Sequence, residues 1–198
     1  MHPLYIQVTF DRKSIFFKSY YFDLFAQPKY AELETNIDQI KEQESRLIEY
    51  IIEKNADSFS LDKFSEDYKY YSTDLLDLMD EPFKDYMVTF FMDEGLPRYA
   101  GIVRAITDSL TAIQIVETFK DGMKPALYAK MIEHAVYYAP PYIPLVALVR
   151  KQQPKGLLSF PVFEWKQPET WALFSILLKM SFPKYDRMEV KRYIERLL

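Results

Sequence analysis

Hydrophobic and polar positions recur with a period near two at the start of the chain and with one near 3.6 over most of its remaining length. Leu4-Tyr5-Ile6-Gln7-Val8-Thr9-Phe10 alternates in part and is rich in β-branched and aromatic residues, Asp11-Arg12-Lys13-Ser14 is polar, and Ile15 to Phe22 is again strand-like. This pattern predicts a β-hairpin within residues 1–30. Asp11 suits its turn, because its side chain can bond the following backbone. A lone hairpin is marginal in water and needs a third strand or a helix to pack on.

Helical spacing dominates residues 31–198. Asn36 can cap a helix to about Lys54 whose apolar stripe is Ile37, Ile40, Leu47, Ile48, Ile51 and Ile52, and Ser60 can cap another carrying Phe64, Tyr68 and Tyr71. Pro82, after Asp80-Glu81, reads as the first turn of a helix that ends at Gly95. Pro97 restarts the pattern, which continues past Leu110 through Ile113, Val116 and Phe119 to Gly122. Pro125 opens a helix closed by Pro140-Pro141, and Leu145 to Lys151 forms a short one. Gly156 to Gln167 reads as extended, Glu169 to Phe182 as a buried helix, and Tyr185 to Leu198 as a last helix with a basic face. The fold class expected is α+β: a small N-terminal antiparallel hairpin packed on a mainly helical body, with divisions of that body near 72–81 or 154–168.

Composition narrows the chemistry. The chain has 198 residues, 49% of them hydrophobic, but only 4 glycines and no cysteine. Gly95, Gly101, Gly122 and Gly156 are too scattered to cradle a phosphate. Without cysteine there are no disulfides, thiolate nucleophiles or zinc fingers. The longest apolar runs, Tyr142 to Val149 and Trp171 to Leu178, fall well short of the ~18 residues needed to cross a bilayer. The opening residues lack the basic and apolar regions of a signal peptide, so a cytoplasmic protein with no membrane contact is expected.

Charge is uneven. Residues 1–30 carry +2, 31–100 carry −11, 101–150 carry +1 and 151–198 carry +4, giving a formal net charge of −4. A polyanion would therefore meet the ends of the chain. In the last helix Lys184, Arg187 and Lys191 recur at intervals of three and four.

Catalytic groups do not assemble into any recognisable set. His134 has no second histidine four residues on, and reads as a packed side chain. Asp74, Asp77, Asp80, Glu81 and Asp85 lack the glycine-centred loop of a calcium site and read as a solvated acidic face. The doublets Tyr20-Tyr21, Tyr70-Tyr71 and Tyr137-Tyr138 read as packing residues. No enzyme, cofactor or metal is expected.

The segment Pro3-Leu4-Tyr5-Ile6-Gln7-Val8-Thr9-Phe10-Asp11-Arg12-Lys13-Ser14-Ile15-Phe16-Phe17-Lys18-Ser19 resembles the opening of the tyrosine recombinases, or phage-type integrases, of Bacteroides-like mobile elements. That family begins with a small arm-type DNA-binding domain. The likeness extends loosely over the first half of the chain. The recombinase catalytic set has no counterpart, since His134 is followed three residues later by Tyr137 rather than Arg. The resemblance implies a non-catalytic DNA-binding or accessory protein of a mobile element, with Arg12, Lys13 and Lys18 approaching duplex DNA; independently of it, the spacing of Lys184, Arg187 and Lys191 offers a second basic group that could lie along phosphates. The alternative is a helical module that binds itself or another protein through apolar and aromatic helix faces.

Overall fold

The computed structural model describes residues 4–30, 37–153 and 157–198. It is α+β, an antiparallel hairpin followed by a helical body. The strands are β1 (Tyr5–Phe10) and β2 (Lys13–Lys18), paired in unbroken register from Tyr5 opposite Lys18 to Phe10 opposite Lys13. Asp11 and Arg12 form a two-residue turn with φ of 48° and 64°, the left-handed pair whose twist matches that of the strands.

The second apolar run does not stay extended to Phe22. Ser19 accepts a hydrogen bond from the Phe22 amide and caps α1 (Tyr20–Phe25), which buries Tyr21, Phe22, Leu24 and Phe25. Next come α2 (Ile37–Lys54) and α3 (Leu61–Tyr71). The expected cap at Asn36 lies outside the described residues. Ser60 does cap α3, accepting from the Lys63 amide at 3.2 Å.

Helix α4 (Leu75–Asp93) corrects the reading of Pro82 as a helix start. Asp74 caps it, accepting from the Leu76 and Asp77 amides, and Pro82 sits on an exposed side of its interior. Gly95 ends it at φ 70°, while the Leu96 amide reaches back to the Phe91 carbonyl at 2.8 Å. The long pattern after Pro97 is two helices, α5 (Pro97–Ile106) and α6 (Ala112–Gly122). The break comes at Thr111, whose hydroxyl and the Gln114 side chain form a reciprocal capping box.

The remaining helices are α7 (Pro125–Tyr138), α8 (Tyr142–Gln152), α9 (Val162–Trp165), α10 (Thr170–Ser181) and α11 (Arg187–Arg196). Helix α9 interrupts the stretch expected to be extended up to Gln167. Helix α10 is buried on one side only, through Phe174, Leu177 and Leu178, whereas Leu173, Ile176 and Met180 are exposed. Buried hydrophobic side chains from Tyr21 to Ile194 form one connected core. Among the described residues no helix is long and apolar enough to cross a membrane.

The acidic cluster is a solvated face only in part, since Glu81 and Asp85 are exposed. Asp74 and Asp80 are both buried, because each has partners far away in sequence. Asp74 accepts from the Ser159 hydroxyl and the Phe160 amide. The Leu75 amide also donates to the Phe160 carbonyl and the Val162 amide to the Thr73 carbonyl, tying the start of α4 to the segment before α9. Asp80 meets the buried Lys84 ammonium at 2.7 Å, the Ala112 amide at 2.7 Å, the Tyr142 hydroxyl at 3.1 Å and Lys29 at 3.5 Å. Such a charge persists inside a core only when it is surrounded by donors in this way.

Candidate nucleic-acid interface

Alternation of side chains divides the hairpin into two faces. Ile6, Val8, Ile15 and Phe17 are half-buried against the core. Phe17 lies 4.4 Å from the Tyr68 ring and 5.9 Å from that of Phe64, and Phe10 meets Phe59 edge-on at 4.8 Å. These contacts seat the hairpin on α3 and on the turn before it. The base is tied by the Ser19 amide donating to the Leu4 carbonyl and by the Ser19 hydroxyl donating to Glu44. The Tyr68 hydroxyl accepts from the Tyr20 amide and donates to the same carboxylate. Burial raises the Glu44 carboxyl above its ordinary value, against the opposing effect of the Ser19 and Tyr68 hydroxyls.

The outer face carries Tyr5, Gln7 and Thr9 from β1 opposite Lys18, Phe16 and Ser14 from β2. All six are exposed, Tyr5 at 58% and Phe16 at 66%. The Thr9 and Ser14 hydroxyls lie 2.7 Å apart, with the Gln7 amide within 3.5 Å of both. Arg12 occupies the exposed tip and Lys13 begins β2 beside it. The face is therefore a ribbon with hydrogen-bonding side chains along its middle and cations at the tip and base. The sequence pattern singles out the cations rather than Gln7, Thr9 and Ser14, although the two-residue alternation already places these three on one face with Lys18.

The two predicted basic groups differ in what surrounds them. Among the described residues Arg12, Lys13 and Lys18 have no acidic side chain within ion-pair distance. Lys184 instead meets Glu133 at 2.6 Å, and Lys191 meets Glu195 at 3.7 Å while lying over the Trp171 ring. Arg187 donates to the Ser175 hydroxyl at 3.2 Å. Lys184 also precedes α11, whose cap is Asp186, so the three do not form one helical row. The hairpin packs on α3 and α11 on α10, so different helices carry the two groups.

His134 packs among rings, 4.2 Å from Tyr138, 5.5 Å from Phe90 and 5.8 Å from Tyr86. The tyrosine doublets divide: Tyr21 and Tyr71 are buried, whereas Tyr137 and Tyr138 are exposed. Among the described residues no group of three or more His, Asp or Glu side chains is arranged to hold a metal ion. No family model, no curated protein and no solved structure matches the chain.

Proposed function

We propose that the protein is a non-catalytic DNA-binding protein in which the hairpin lies in the major groove, a groove wide enough for a two-stranded ribbon. The observation that carries this reading is the hairpin itself: its three cations have no acidic partners among the described residues, Lys18 shares one open face with Gln7, Thr9 and Ser14, and Arg12 and Lys13 stand at the exposed tip. Arg12, Lys13 and Lys18 would meet phosphates and the polar row would meet base edges. The N-terminal resemblance supports assigning the protein to a mobile element as an accessory factor.

The test is a salt titration of duplex binding. Each phosphate contact removed should reduce the slope of log affinity against log salt by about 0.9, so Arg12→Ala with Lys13→Ala should lower it by about 2. Lys184→Ala should leave it unchanged, because Glu133 already neutralises that charge. Absence of salt-dependent affinity at ~50 mM salt would overturn the reading.

A second reading, docking of another protein, is favoured by the exposed row Leu173, Ile176 and Met180 on α10. Ile176→Asp with Met180→Asp separates the two: it abolishes such docking and leaves duplex binding intact.

A further inference from the structure

The geometry points to the outer edge of β1 as the seat of a second copy of this chain, paired antiparallel through β1 of each. In an antiparallel pair, successive residues point their backbone groups alternately toward the partner strand and away from it. The turn joins Phe10 to Lys13 and the Ser19 amide bonds the Leu4 carbonyl, so Ile6, Val8 and Phe10 are the β1 residues that bond β2. Tyr5, Gln7 and Thr9 therefore turn their N–H and C=O groups outward. Among the described residues no other element bonds to them, and the sheet has two strands.

The two edges are not alike. Proteins guard free edges with charges, prolines or bulges. The β2 edge has Lys18 at one end and Lys13 at the other. Tyr5-Ile6-Gln7-Val8-Thr9-Phe10 has no charge and no proline, and its register contains no bulge. It is an open template for another strand.

Its own sequence is the complement it fits. A two-fold axis beside Gln7 sets Gln7 against Gln7 of the second copy, Tyr5 against Thr9 and Ile6 against Val8. The outward groups then exchange about six backbone hydrogen bonds. Aromatic against β-branched, aliphatic against aliphatic and amide against amide are all favourable cross-strand pairs, and no charge faces a like charge. Ile6 and Val8 of the two copies continue one apolar layer, and the Arg12 turns lie at opposite ends of a four-stranded sheet. This pairing does not require DNA, and because a four-stranded sheet is wider than the ~12 Å major groove, β1 pairing and entry of the hairpin into that groove exclude one another.

Sedimentation of the full chain over a range of concentrations, with amide exchange followed by NMR, tests the assignment. A monomer–dimer equilibrium is expected, with the Tyr5, Gln7 and Thr9 amides gaining protection as the dimer forms. Gln7→Pro removes an outward N–H without touching the β1–β2 ladder, and should weaken dimerisation at least about tenfold. Phe16→Pro, the matching change on the β2 edge, should leave it unaltered. Gln7→Lys sets like charges face to face and should give a dimer that weakens at low salt and recovers at high salt. A chain that stays monomeric to its solubility limit overturns the pairing. So does a dimer whose strength ignores both Gln7 variants, or one that forms without protecting those three amides.

Discussion

The Ser19 hydroxyl donates to Glu44 Oε1 at 2.5 Å, so the residue that ends β2 and caps α1 is also fastened to the buried face of α2. Tyr68 completes the arrangement from α3, holding the Tyr20 amide at 3.0 Å and the same carboxylate at 2.9 Å. Tyr68→Phe removes one hydroxyl and leaves a buried amide and carboxylate each short of a partner. It should cost about 2 kcal/mol in urea unfolding and speed amide exchange in the hairpin ahead of the helical body.

Asp74 should give the fold a pH dependence of defined sign. Burial raises its carboxyl from 3.8 to about 6, outweighing the hydrogen bonds it accepts. Because the folded value lies above the unfolded one, the stabilisation is complete below about pH 4 and is lost as pH rises through about 6. Unfolding free energy measured from pH 4 to 7 should fall by up to about 3 kcal/mol from this group. Asp74→Asn keeps a capping oxygen and should remove that component.

Lys84 is buried, with its ammonium divided between Asp80, Glu81 at 2.8 Å and the Thr107 carbonyl. Lys84→Met fills similar space but leaves Asp80 to Lys29 alone among the cations. A loss of about 3 kcal/mol is expected, and combining it with Asp80→Asn should cost less than the two separate losses added together.

Arg12 separates strain from binding. A non-glycine residue at φ 64° is held against its preference, so Arg12→Gly should raise stability by about 1 kcal/mol, measurable as a higher Tm. The same change should weaken binding to duplex DNA, giving a sturdier protein with poorer affinity.

The features legible in the sequence are local ones. The hairpin shows in the alternation of Leu4 to Phe10, and the start of α3 in Ser60, because each signal lies within a few residues of what it specifies. Pro82 misleads because proline favours first turns, while the actual start depends on Asp74 eight residues earlier. Asp74 and Asp80 read as solvent-facing because their partners come from Ser159, Tyr142 and Lys29, which no short window includes. The neutralisation of Lys184 by Glu133 is hidden for the same reason. Its consequence is large, since among the described residues the hairpin is the predicted basic group in which no cation has an acidic partner.

The two backbone–backbone hydrogen bonds between the start of α4 and the segment leading into α9 have a topological effect. The chain leaves toward α4 at Leu75 and returns at Phe160 through the same doorway, latched by Leu75 to Phe160 and Val162 to Thr73. The two bonds fix the separation of the two ends of this stretch, so the length of the chain between them does not set the distance between Thr73 and Val162.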